Sequence, residues 1–115
     1  MNIFYLDSSP RTCARYHCDK HVVKMIVETA QLLCGAHWAT GGKAQYLAMG
    51  LNHPCGIWTR KSLSNYKWLC ELGVNLCLEY TRRSVSAVSH HIFVTQDDST
   101  ISLSGDRLKL RIFTI

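Results

Sequence analysis

The sequence has little charge and no long apolar run. Only 18% of its 115 residues are charged while 47% are hydrophobic, a balance that favours a folded globular chain over a disordered one. No run approaches the roughly 18 apolar residues of a membrane span. The apolar start, Met1 to Leu6, lacks the basic residues of a signal peptide. We therefore expect a cytoplasmic protein, with no membrane partner.

The six cysteines include no CxxC pair. Structural zinc sites commonly use such pairs, and disulfides are not expected without an export signal. We therefore expect free thiols in a reducing compartment and no bound cofactor. His17, Cys18 and His21 lie close enough in sequence to leave a metal open as an alternative.

The net charge is +5 and the pI is near 9.0. This balance fits an anionic partner such as nucleic acid, although many basic proteins bind none. Arg11 and Arg15 are one helical step apart and could offer a basic edge to a phosphate backbone, or could simply be solvated. Arg60 and Lys61 have the same two interpretations.

Cys18 to Trp38 is the most informative stretch and predicts a long helix. Seven apolar residues cover most of its circumference, so the helix should be buried on nearly all sides. They are Val22, Val23, Ile26, Val27, Ala30, Leu33 and Cys34. The exception is a narrow polar edge with residues spaced three or four apart, made by His17, His21, Lys24, Glu28 and Gln31.

This polar edge has two interpretations. Burying unpaired charges is costly, so an ionisable edge on a buried helix favours a cleft and an active site. Alternatively, Lys24 and Glu28 form an ordinary surface ion pair and the histidines are solvated.

The remaining patterns predict a mainly α fold: a compact bundle of two long helices and one or two short ones. A second long helix has an apolar face that includes Leu69, Cys70, Leu76 and Cys77, with Glu79 on the opposite, polar face. We expect residues 1–83 to form the helical domain and 84–115 to be a divergent tail or hairpin of the same domain. The predicted elements are a strand at Asn2–Leu6, helices at Pro10–Tyr16, Cys55–Ser62 and Leu63–Arg83, and a β-hairpin from Ile92–Thr95 and Leu108–Ile115.

Several of these residues resemble a known family. Asp19, His21 and Glu28, followed by a second long helix with Tyr66, Lys67, Leu69, Glu71 and Tyr80–Arg83, resemble the small phage endonuclease V type pyrimidine-dimer DNA glycosylases. The chain is still more similar to phage-encoded relatives that begin with a similar strand and an HCDKH motif, here His17–His21. The resemblance covers about Met1 to Arg82.

The resemblance implies a helical protein that bends double-stranded DNA, flips a nucleotide, cleaves the glycosidic bond through an amine and breaks the backbone by β-elimination. Glu28 matches the essential glutamate, and His21 matches a histidine near the DNA. Such a carboxylate can stabilise a cationic sugar and move protons for Schiff-base formation. His17, Arg11, Arg15, Arg60, Lys61 and Gln31 are then the expected DNA contacts.

Three departures separate this chain from the family pattern. The family's nucleophile is an N-terminal amine exposed by methionine removal, whereas the bulky Asn2 should retain Met1. The nucleophile here is therefore either the Met1 amine or Lys24. Val27 and Gln31 stand where the family has arginines, and the family's aromatic, basic C-terminal segment is missing.

Two other functions stay open at this stage. The fold could survive without its chemistry, as a phage protein that inhibits a host or defence protein or binds DNA passively. A metal-dependent hydrolase with His17, His21 and Glu28 as ligands is the third hypothesis.

Overall fold

Four helices build the described core of the protein. The computed structural model describes residues 2–44, 50–83, 92–94 and 100–102. The helices are α1 (Pro10–Tyr16), α2 (Asp19–Ala39), α3 (Pro54–Lys61) and α4 (Leu63–Arg83). The four predicted helices are therefore confirmed, with bounds that shift by at most one residue.

The helix starts follow from local sequence. The Ser9 hydroxyl accepts a hydrogen bond from the Thr12 N–H at 3.4 Å and caps α1, with Pro10 in the first helical position. At α3, the His53 Nδ1 accepts from the Cys55 N–H at 3.1 Å, and a proline again follows the cap. Proline is favoured there because the first helical N–H has no partner inside the helix.

The core lies where α2 and α4 pack together, with α1 and α3 against them. Leu33 on α2 and Leu69 and Leu76 on α4 are completely enclosed. Every predicted apolar position of α4 is at least half-buried. The prediction that Glu79 lies on the polar face opposite the core is wrong, because its side chain is buried as well.

The prediction that α2 is buried on nearly all sides holds for only one half of the helix. Its C-terminal half, from Thr29 to His37, is buried apart from a half-exposed Gln31. In the N-terminal half, however, Val23 and Val27 are 52% and 47% exposed. The expected burial on nearly all sides is therefore wrong for this half, because the neighbouring helices cover only one of its faces.

The predicted strand at Asn2–Leu6 is also wrong, since no residue of this segment is in a strand. A strand needs a neighbouring strand, and this segment lies instead beside α1. The Cys13 thiol donates a hydrogen bond to the Phe4 carbonyl at 3.0 Å and accepts one from the Leu6 N–H at 3.4 Å. Within residues 2–44 and 50–83 the ordered elements are all helical.

Beyond α4, two three-residue strands are described, β1 (Ile92–Val94) and β2 (Thr100–Ser102). They pair antiparallel, with Phe93 opposite Ile101. The sequence assigned the second strand to Leu108–Ile115, which lies outside the described residues.

All six cysteines are free thiols, as expected. Among the helices that the structure describes, none is both long and apolar enough to cross a lipid bilayer.

Candidate functional site

The polar edge of α2 is formed by His21, Lys24, Glu28 and Gln31. Lys24 is exposed, whereas the other three side chains are half-buried. His21 and Glu28 are two helical turns apart, about 10 Å along the helix axis. Lys24 and Glu28 lie about one helical turn apart on this edge. The edge therefore presents a half-buried carboxylate beside an exposed amine.

The N-terminal segment lies over the beginning of this edge. The Phe4 ring stacks on the His21 ring with centroids 4.6 Å apart and an interplanar angle of 30°. The same ring contacts His17 in a tilted arrangement at 5.9 Å. Phe4 thus fixes the start of the chain against the first turn of α2.

His17 does not belong to the α2 edge, contrary to the sequence pattern. It follows α1 as its C-terminal cap and is only 3% exposed. Its Nδ1–H donates to the Cys13 carbonyl at 2.7 Å, which leaves Nε2 as an acceptor. Nε2 is buried and has no hydrogen-bond partner among the residues that the structure describes. Burial lowers the pKa of His17, while the hydrogen bond to Cys13 opposes that shift. The lowered pKa favours the neutral form of the ring. The DNA contact predicted for His17 stays a prediction.

The ligand set of the metal hypothesis is not assembled. Among the described residues, no group of three or more His, Cys, Asp or Glu side chains could hold a metal ion. His17, His21 and Glu28 all belong to that part of the chain. His17 Nδ1 is hydrogen-bonded to the main chain of the preceding helix.

The predicted basic DNA contacts fall in two places. Arg11 and Arg15 are exposed on α1, whereas Arg60 and Lys61 end α3. Lys61 is exposed, but Arg60 is half-buried, and its enclosed Nη1 has no hydrogen-bond partner within the described part of the chain. Met1, whose amine is a candidate nucleophile, lies outside the described residues.

Sequence reasoning missed an ion-pair network at the end of α4. Glu79 accepts hydrogen bonds from Arg82 Nε at 3.1 Å and from Arg83 Nε at 2.8 Å. Arg83 Nη1 also contacts Asp19 Oδ1 at 3.0 Å, which ties α4 to the start of α2. The hydrogen bond from Arg82 is the main reason why the pKa of Glu79 is lowered. Spacings of three and four residues permit such pairs on a helix, but only the tertiary structure shows that Glu79 is buried.

The sequence was compared with models of known protein families. The model of the pyrimidine dimer DNA glycosylases matches residues 1–92, which include all four helices and the α2 edge. No curated protein and no solved structure matches the chain. Since the family model covers most of the sequence, this protein belongs to the pyrimidine dimer DNA glycosylase family.

Proposed function

We propose that this protein is a DNA glycosylase with abasic-site lyase activity, which removes a damaged or modified base from double-stranded DNA. The observation that carries the proposal is the family match over residues 1–92, which includes the helix bearing Glu28. The family implies DNA as the substrate, and the net charge of +5 suits a polyanion.

Glu28 is the proposed catalytic carboxylate. Its half-buried position on α2 suits a group that must face substrate while partly shielded from water. A carboxylate there can stabilise the positive charge that develops on the sugar when the base leaves. It can also move protons while the amine displaces the base at C1′ and the sugar ring opens to a Schiff base. On an abasic site, the amine condenses with the C1′ aldehyde and water is released. His21, two turns away and held by Phe4, is proposed to orient the sugar or phosphate.

The nucleophilic amine is proposed to be that of Met1, with Lys24 as the alternative. Lysine nucleophiles are usually desolvated, and Lys24 is exposed. Because Phe4 stacks on His21, an amine three residues earlier can reach about 10 Å from that point. This reach equals the distance of about 10 Å along α2 from His21 to Glu28. This comparison supports the Met1 amine as the proposed nucleophile.

The proposed DNA contacts divide between the two basic locations. Arg11 and Arg15 on α1 and Arg60 and Lys61 on α3 would bind the phosphate backbone. Gln31, one turn beyond Glu28 on the same edge, would contact DNA beside the reacting nucleotide. His17 would act only indirectly, by supporting Phe4.

Borohydride trapping tests the chemistry. The full chain is incubated with duplexes that carry an abasic site or a thymine dimer, and a reduced covalent adduct is expected. Glu28→Gln should form at least about 100-fold less adduct, in the range of a lost general acid–base group. Glu71→Gln is the matched control because Glu71 is exposed on α4, and it should keep full activity.

Two modified forms of this protein distinguish between the Met1 amine and Lys24 as the nucleophile. Acetylation of the N-terminal amine should abolish the adduct if Met1 supplies it, whereas Lys24→Arg should abolish it if Lys24 does. Lack of an adduct with the unmodified chain on both duplexes would refute the glycosylase proposal. Full activity of Glu28→Gln would refute the role of Glu28.

A further inference from the structure

Helices α1 and α4 enclose a groove of about 310 Å³ that lies apart from the α2 edge. It is lined by Arg11, Arg15, Asn75, Leu78, Glu79 and Arg82, and we call it the arginine groove. At the end of α4, the neighbouring Arg83 reaches Asp19. Asp19 precedes Glu28 by nine residues of α2, or about 13 Å along the helix axis. The end of α4 is thus well separated from Glu28.

One wall of the arginine groove carries two available guanidinium groups. Arg11 and Arg15 are exposed on α1, and neither side chain takes part in the ion pairs among the described residues. A spacing of four residues puts their Cβ atoms about 6 Å apart on one helix face. Two such side chains can converge on a single tetrahedral anion.

The opposite wall supplies a third guanidinium in a fixed orientation. Arg82 donates through Nε and Nη2 to the buried carboxylate of Glu79. A guanidinium has five N–H groups, so three remain for a ligand in the groove. Glu79 also accepts from Arg83, so one negative charge faces two arginines. Together with Arg11 and Arg15, the cluster keeps an excess of positive charge.

We propose that the arginine groove binds a phosphate of the DNA backbone at a distance from the reacting nucleotide. The proposal deepens the proposed function, because it rests on DNA as the partner. Arginine forks match phosphate oxygens in pairs, and a second phosphate contact fixes the register of a protein on its duplex. Glu79 also lines the groove and holds the Arg82 guanidinium in place.

The test measures binding of the full chain to an undamaged 20-base-pair duplex over a range of salt concentrations. Each lost phosphate contact should lower the slope of log affinity against log salt by about 1. Arg11→Gln and Arg15→Gln should each show this decrease, with several-fold weaker binding at low salt. Both residues are exposed, so the variants should fold. Lys43→Gln removes one charge from an exposed residue outside the groove and should leave the slope unchanged.

The outcomes separate this proposal from the proposed function. Weaker DNA binding in the arginine variants supports the groove even if borohydride trapping fails. Unchanged slopes in both variants would overturn the groove and, with it, the phosphate contacts proposed for Arg11 and Arg15, while leaving the chemistry to its own test. An equal decrease of the salt-dependence slope in Lys43→Gln would also overturn the proposal, because only the overall charge of the protein would then affect DNA binding. Binding of a poly-glutamate peptide as tightly as the duplex would show an acidic-protein site instead, and would overturn it as well.

Discussion

Arg83 Nη1 donates a hydrogen bond to the main-chain oxygen of His17 at 2.8 Å. Its Nη2 donates to the Arg15 carbonyl at 2.9 Å. These bonds join the last turn of α4 to the junction between α1 and α2, and they satisfy carbonyls that the end of a helix leaves without partners. Glu79 accepts a hydrogen bond from Nε of the same guanidinium. The network therefore fixes the angle between α1 and α2.

The first prediction concerns Glu79. Glu79→Gln should lower the free energy of unfolding at pH 7 by about 1–3 kcal/mol, because it removes charge-assisted hydrogen bonds to two arginines from a buried side chain. Chemical denaturation monitored by circular dichroism would measure the loss. Glu71→Gln, at an exposed position, should change stability by less than about 0.5 kcal/mol. Equal losses in the two variants would contradict the importance of the network.

The same carboxylate predicts an acid dependence. Since Arg82 and Arg83 lower the pKa of Glu79, its stabilising effect is complete above the ordinary value near 4.5 and is lost as pH falls through the folded-state pKa. Between pH 5 and pH 3, wild-type protein should therefore lose more stability than Glu79→Gln. Parallel stability curves for the two proteins over that range would be inconsistent with a lowered pKa.

His17 should resist protonation. Desolvation lowers its pKa from the usual 6.5, so the folded protein binds this proton less readily than the unfolded chain. This contribution to stability is complete above pH 6.5 and is lost as pH falls through the folded-state pKa. A histidine NMR titration, assigned with His17→Asn, should show that the ring is less than half protonated at pH 6.5. A ring already half-protonated at that pH would contradict the buried, neutral state.

Gly56 should not tolerate a side chain. A Cβ atom at this position would lie 2.1 Å from the Gly50 carbonyl oxygen, and a main-chain atom cannot move away cheaply. Gly56→Ala should destabilise the protein by about 1–3 kcal/mol, as other overpacked substitutions do, although alanine is the better helix former. Thermal unfolding of Gly56→Ala measures this loss of stability. Ser64→Ala, at an exposed position of α4, is the control. An increased melting temperature would show that the loop before α3 does not pack so closely.

The thiols should differ in reactivity. Cys18 is exposed and Cys55 half-buried, while the other four are buried. Burial raises the pKa of Cys70 to about 12, and it raises the pKa of Cys77 as well. A disulfide reagent at pH 8 should modify Cys18 first and Cys55 more slowly, with the rest reacting only after denaturation. Rapid modification of more than two thiols in native protein would contradict this packing.

Local patterns determined most of the helical architecture. Ser9–Pro10 and His53–Pro54 specified two helix starts because capping depends on groups within three residues. The three- and four-residue spacing of Leu69, Leu76 and their neighbours predicted the buried face of α4. The polar edge at Lys24 and Glu28 was visible for the same reason.

Contacts between distant residues decided the rest. The segment at Asn2–Leu6 looks like a strand by composition, but its hydrogen bonds go to Cys13, and no local pattern shows which partner a segment will find. Exposure of Val23 and Val27 depends on which faces of α2 the other helices cover.

The sequence by itself determined the four helices, the free thiols and the family to which the chain belongs, because these depend on short spacings and residue identities. Only the tertiary structure decided that His17 is enclosed, that Glu79 is buried beneath two arginines and that Arg11 and Arg15 share a groove with Arg82. The physical reason is that burial and ion pairing depend on how helices pack across long sequence separations, and a helical repeat carries no information about that packing.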